Sequence, residues 1–102
     1  MVIDKRFRFE VAPEDEQGKY NWFDAQKACS MRGNGWRLPT REEQLLMRGH
    51  KKELGLKDGH YWSSSEYYSN DAWYQDFYNG NQYSSYKYDR NRVRAVRTVE
   101  SK

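Results

Sequence analysis

Ala72 to Tyr88 read AWYQDFYNGNQYSSYKY, and this stretch decides the fold class. Its first limb alternates. Trp73, Gln75 and Phe77 fall on one side and Tyr74, Asp76 and Tyr78 on the other, the period of two expected of a half-buried strand. Asn79-Gly80 follows, a pair that tolerates positive φ and marks a tight hairpin turn. Gln82 to Tyr88 then supply the returning strand. The Trp73/Phe77 side is assigned to the core, with Gln75 as an unexplained polar member, and the outward side shows two tyrosines and an aspartate to water.

Working outward, Tyr61–Ser64 and Arg92–Thr98 add two more strand candidates, so the chain beyond Gly59 reads as a small antiparallel sheet. Before Gly59 the punctuation is different. Residues Arg6 to Val11 alternate, with Phe7, Phe9 and Val11 on the inner side, and form one further strand. Asn21 then has the character of an N-cap with Asp24 in the first turn. Trp22, Ala25, Ala28 and Cys29 follow at helical spacing, predicting a helix over 22–32 closed by Gly33 or Gly35. Thr40-Arg41-Glu42-Glu43 is a capping-box pattern that starts a second helix over 40–48, with Leu45, Leu46 and Met47 as its buried stripe. His50 to Leu56 add a short irregular helix. The expectation is one α+β domain over residues 1–102, two helices packed on a small twisted antiparallel sheet. Its predicted core is Phe7, Phe9, Trp22, Trp36, Leu38, Leu45, Trp62, Trp73, Phe77, Val93 and Val96.

Bulk properties bound what such a domain can be. A chain of 102 residues supports one modest core, burying roughly two thirds of the surface that the unfolded chain exposes. A mean hydropathy of −1.27 leans toward disorder, but four Trp, nine Tyr and four Phe favour a folded, aromatic-rich interior. The net charge of +3 is mild, and both signs are interspersed. Arg90, Arg92, Arg94 and Arg97 form the densest basic cluster, read as strand arginines satisfied by nearby carboxylates and carbonyls rather than as a phosphate track. Cys29 is the one cysteine, so no intrachain disulfide is possible. No apolar leader segment and no long apolar run occur, so the chain as given reads as neither a secretory precursor nor membrane-spanning. A place within a longer surface- or virion-displayed protein, or in the cytoplasm, stays open, as does the oligomeric state.

Tyr67 to Asn91 carry the functional signal. Tyr, Ser, Asn and Asp occupy seventeen of these twenty-five positions, and seven of the nine tyrosines lie here. Tyr gives large rigid contact area at low entropy cost, and Ser and Asn supply adaptable hydrogen bonds, the composition of a recognition surface such as a paratope. An ordinary sheet with tyrosines on its wet face would explain the Tyr, but not the Ser, Asn and Asp around them.

Several segments carry a resemblance: Trp36-Arg37-Leu38-Pro39-Thr40-Arg41-Glu42-Glu43, Tyr61-Trp62-Ser63-Ser64-Ser65-Glu66, Ala72-Trp73, Phe77, Gly80 and Arg92-Val93-Arg94-Ala95-Val96-Arg97. In this order they resemble the DUF1566-type bacterial domain, related to the Fibrobacter succinogenes major paralogous domain and to the C-terminal region of a Legionella collagen-like adhesin. The resemblance spans roughly residues 18 to 99 and implies a C-type-lectin-like fold. Many such domains are variable proteins of diversity-generating retroelements, in which adenine mutagenesis of Asn codons yields Tyr, Ser, Asp, His or Gly. It therefore implies a ligand face of Tyr67, Tyr68, Ser69, Asn70, Tyr74, Asp76, Tyr78, Asn81, Tyr83, Ser84, Tyr86 and Tyr88 on an invariant scaffold. Two departures stand out. Ala95 occupies a place where family members often carry a second cysteine. The calcium-ligand runs of sugar-binding lectins are missing, with Asn70-Asp71-Ala72-Trp73 only a loose echo, so no metal or other cofactor is expected.

The expected function is non-catalytic recognition of a protein or cell-surface glycan. An enzyme is disfavoured: His50 and His60 lie in polar loops, Cys29 sits on a buried helical stripe, and Ser63-Ser64-Ser65 has no elbow glycines. Two alternatives are kept. One is a single-strand nucleic-acid binder stacking bases on tyrosines beside Lys87, Arg90, Arg92 and Arg94, disfavoured by Asp71, Asp76 and Asp89 in the same segment. The other is an assembly module of a surface or phage fibre.

Overall fold

The computed structural model describes residues 1–6 and 8–99; Phe7, assigned above to the core, lies outside them. The elements run β1 (Val2–Asp4), β2 (Arg8–Val11), α1 (Trp22–Ser30), α2 (Arg41–Arg48), α3 (Lys51–Leu54), β3 (His60–Tyr68), β4 (Asp71–Asp76), β5 (Gln82–Tyr86) and β6 (Val96–Thr98). This is an α+β domain with two three-stranded antiparallel sheets, ordered β1-β2-β6 and β3-β4-β5. Strand β1 is an element that the alternation did not predict.

Both predicted helix starts form as read. Asn21 Oδ1 accepts from the Asp24 amide at 2.8 Å. Thr40 Oγ1 accepts from the Glu43 amide at 3.1 Å, while Glu43 Oε1 accepts from the Thr40 amide at 2.9 Å, a complete capping box. That carboxylate also takes both terminal nitrogens of Arg37, at 2.7 and 2.8 Å. Burial on its own would raise the Glu43 carboxyl, yet the hydrogen bonds from Arg37 and Thr40 hold it below the usual carboxylate range.

The stripe that α2 buries keeps Met47 from the predicted one, with Leu46 packed against the same cluster, but not Leu45. Glu43, Gln44 and Met47 face inward, whereas Leu45 is 54% exposed. The capping box sets this phase, because it turns Glu43 toward Arg37, and Gln44 then donates to the carbonyls of Tyr61 and Trp62, each at 3.0 Å. Leu45 is rotated away.

Strand β3 separates two cores. Tyr61 points into a cluster with Ile3, Phe9, Val11, Met47, Leu54, Leu56, Phe77 and Val96. Its neighbour Trp62 points the other way, into Trp22, Ala25, Cys29, Leu38, Ala72, Val93 and Ala95. Alternation along one strand thus feeds both interiors. Two indoles tie the second core to the backbone: Trp22 Nε1 donates to Ser63 O at 2.8 Å and Trp62 Nε1 to Tyr20 O at 2.7 Å.

Trp36 and Trp73, both predicted core residues, are only half-buried and are roofed by arginines rather than enclosed. The Arg92–Thr98 strand shrinks to β6. Residues 91–95 are nonetheless fixed by single bridges, Tyr20 to Asn91 and Tyr61 to Arg92, and by Ala12 N donating to Ala95 O. The hairpin after β4 is also looser than expected. Asp76 Oδ1 accepts from the Tyr78 and Asn79 amides at 2.8 and 3.3 Å, and Gly80 N donates to Asp76 O at 2.9 Å. Only Gly80 takes a positive φ, of 82°. The aspartate side chain winds the chain into a longer turn, so strand structure stops at Asp76.

Candidate recognition surface

Of the seven tyrosines between 67 and 88, Tyr67, Tyr68, Tyr78, Tyr83, Tyr86 and Tyr88 are exposed; Tyr78 reaches 77%. Tyr74 is half-buried against the Trp62 cluster, and burial, then Asp76 and Tyr83, push its hydroxyl pKa up. Ring contacts sort these residues into groups.

The first group lies on the Trp62 side of the β3-β4-β5 sheet, where Trp62, Tyr74 and Tyr83 are cross-strand neighbours. His60 stacks on Tyr74 with ring centroids 4.5 Å apart, and Tyr74 on Tyr83 at 5.7 Å. Tyr83 Oη accepts from Asn79 Nδ2 at 3.0 Å and Asn81 Nδ2 at 3.2 Å. Asp76 is committed to this frame, with one oxygen on the turn amides and the other 3.3 Å from His60 Nε2.

The second group lies on the opposite face, as strand alternation requires for Trp73 beside Tyr74. Tyr67 meets Trp73 edge-on at 5.1 Å and Tyr68 at 4.7 Å. The Arg41 guanidinium covers the Trp73 ring at 3.6 Å. The third group is a ridge from α1 to the end of β5: Phe23 to Tyr88 at 5.5 Å and Tyr88 to Tyr86 at 5.2 Å. Beneath it Lys87 is buried, donating to Glu66 Oε2 at 2.6 Å and Ser69 O at 2.9 Å, with its ammonium 4.4 Å from the Trp22 ring.

Of the predicted residues, Tyr67, Tyr68, Ser69, Asn70, Tyr78, Asn81, Tyr83, Ser84, Tyr86 and Tyr88 are therefore exposed, while Tyr74 and Asp76 are half-buried supports. They do not make one flat patch. The expectation of a single outward face fails because a sheet covered incompletely on both sides exposes successive residues in opposite directions. Sequence reasoning also missed three contributors. Phe23 was visible as a large apolar residue off the Ala25/Cys29 stripe of α1. Arg41 and His60 carried no local signal, since both act on residues brought near only by the sheet.

The basic cluster resolves as its plainer reading had it for Arg94 and Arg97. Arg94 Nε donates to Asp15 Oδ1 at 2.8 Å and Arg97 Nε to Glu10 Oε1 at 2.7 Å. Lys87 and Arg94, two of the four cations that a nucleic-acid face would use, are buried in ion pairs. Cys29 is fully buried, and burial, followed by the nearby Glu16, raises its thiol to about 12. No helix among the described residues is long and apolar enough to cross a membrane. Among the same residues no group of three or more His, Cys, Asp and Glu is arranged to hold a metal ion.

The family model described as the Lcl C-terminal domain matches residues 5–97. The chain belongs to this family. No curated protein matches it. Within this Lcl C-terminal domain, the matched span takes in the β3-β4-β5 sheet, the three helices, all three aromatic groups and β2, while β1 precedes it and β6 runs one residue past it.

Proposed function

We propose that this Lcl C-terminal domain is a non-catalytic recognition module that binds a macromolecular ligand, a protein or a cell-surface glycan, through the tyrosine-rich surface of residues 67–91. One observation carries the reading. Tyr67, Tyr68, Tyr83, Tyr86 and Tyr88 keep two fifths or more of their surface in water, yet each is braced by a neighbouring ring. Rigid, wet aromatics lose little entropy on binding and have most of their area still to bury. A sheet needing tyrosine only for its strand propensity has no use for such bracing.

The finer form of the reading is a C-type-lectin-like scaffold whose face is diversified at the DNA level. Its support is the division between texture and burial. Exposed Tyr, Ser and Asn recur through β5 and its flanking turns, at Tyr78, Asn79, Asn81, Tyr83, Ser84, Tyr86 and Tyr88, whereas Val93, Arg94, Ala95 and Val96, just beyond, are all buried. Replacement of the former would leave the latter packed.

The test uses protein and glycan arrays probed with the labelled domain and with a variant carrying serine at Tyr78, Tyr83, Tyr86 and Tyr88. Tyr74 is left intact because it packs against the core. The expected result is signal on a subset of features that the variant loses, with its melting temperature nearly unchanged. Signal that survives the four substitutions, or a variant that unfolds, would overturn the proposal.

A further inference from the structure

Strand β5 is the outermost strand of its sheet, and the bonds that bracket it fix the direction of its backbone. Asp76 N donates to Asn81 O and Lys87 N to Asn70 O. Residues of an antiparallel strand alternate between facing their partner and facing away. The parity that turns Asn81 and Lys87 inward also turns Tyr83 and Ser85 inward, opposite Tyr74 and Ala72. The N–H and C=O groups of Gln82 and Ser84, and the N–H of Tyr86, therefore point outward along an open edge. Natural edges are commonly protected by charge, proline or a bulge. Gln82–Tyr86 has no charged residue and no proline, and its pairing with β4 runs without a register shift.

Beside this edge stands a prepared cation. The Arg41 guanidinium lies flat on Trp73, and Gln82 locks it there, accepting from Arg41 Nε at 3.1 Å and donating to Arg41 O at 2.9 Å. Among the described residues the terminal nitrogens of Arg41 have no hydrogen-bond acceptor. Ser84 pairs with Trp73, so only a small side chain separates the open edge from the stacked guanidinium.

We propose that the β5 edge takes up an extended segment of a protein partner as a fourth strand, and that Arg41 reads an acidic side chain on it. This rests on the recognition reading above and narrows the ligand to a protein. Backbone bonds to Gln82, Ser84 and Tyr86 supply sequence-independent affinity, as in strand addition generally. A side chain of the added strand opposite Ser84 shares the Trp73 face, so a Glu there reaches over Ser84 to the Arg41 fork, whose planar donors match a carboxylate. A neutral edge next to one fixed positive charge selects an acidic strand over a basic one.

The experiment titrates the isotope-labelled domain with a short alternating Thr/Val peptide carrying one central Glu, and with its Gln counterpart. The expected result is shift changes and slowed amide exchange centred on Gln82, Ser84 and Tyr86, with the Glu peptide about tenfold tighter, as a charge-assisted bond gives. Arg41→Gln should equalise the two peptides. Ser84→Pro should abolish binding of both while the fold survives, because the lost N–H is an outward one. Peptides N-methylated at the amides facing β5 test the same bonds without altering the protein. Equal affinity of the Glu and Gln peptides for the unaltered domain, or shifts away from these three amides, overturns the proposal. So does concentration-dependent self-association that protects them without peptide, which would make a second copy the occupant. Array signal that survives Ser84→Pro but is lost in the tyrosine variant would sink the edge and leave the recognition surface standing.

Discussion

Arg94 and Asp15, 79 positions apart in the chain, meet with Nε 2.8 Å from Oδ1. The other carboxylate oxygen accepts from Tyr61 Oη at 2.7 Å. Arg94 Nη1 donates further to the carbonyls of Ala12 at 3.1 Å and Leu54 at 2.6 Å. One guanidinium thus fastens the loop after β2, the end of α3 and the first core together. Removing one partner of a buried pair leaves the other charge uncompensated, at about 3–5 kcal/mol. Arg94→Ala should lose stability of that order in urea unfolding, against a small effect for an exposed arginine such as Arg90→Ala.

The phase of α2 is checked by two truncations. Met47 is buried and Leu45 is exposed. Met47→Ala should cost about 2–5 kcal/mol, whereas Leu45→Ser should stay within about 0.5 kcal/mol. Equal losses in thermal melts would restore the stripe that the sequence predicted.

Acid should find the capping box. Because the Glu43 carboxyl is held low in the folded protein, its contribution is present above the unfolded carboxylate value of about 4.3 and is lost as pH falls through the folded value. Glu43→Gln should flatten the loss of stability below about pH 4 measured by chemical unfolding, and should be less stable than the parent at neutral pH.

Alkali acts with the opposite sign. Burial raises the Tyr61 hydroxyl, which donates to Asp15 and accepts from the Lys57 amide, to about 12. Its contribution is intact below the unfolded value of about 10 and is lost as pH rises through the folded one. Tyr61→Phe should remove that component from the alkaline unfolding curve.

A thiol reagent gives the simplest check on the interior. With Cys29 buried and its thiol raised to about 12, the native protein should not react at pH 8 and should titrate one thiol per chain in denaturant. Rapid native reaction would show that α1 opens.

The helix starts were legible in the sequence because Asn21 and Thr40-Arg41-Glu42-Glu43 satisfy amides only a few residues away. The β4 alternation was legible for a similar reason, with Gln75 and Phe77 buried on the predicted side. What escaped was whatever depends on distant partners. Leu45 reads as core until Arg37 and Glu43 set the rotation of the helix. Trp73 reads as interior until Arg41 is seen to roof it. Tyrosine exposure followed from composition, but the division of those tyrosines between two faces needed the register of β3, β4 and β5. Among the described residues, Gln44 and Gln75 each have a buried carbonyl oxygen without a protein partner, and Asn91 a buried amide nitrogen without one; no pattern of residues foretold them.

Strand β2 lies between β1 and β6, with Phe9 opposite both Ile3 and Thr98. During synthesis, the β3–β4–β5 hairpins close over short loops as soon as they emerge, whereas β6 reaches β2 only across the long stretch from Val11 to Val96. Closing so long a loop is slow relative to a hairpin. The aromatic display is thus assembled early and the clasp that holds the first and last strands comes late, so truncation near residue 96 would strand β2 with a bare hydrogen-bonding side even though most of the fold had already formed.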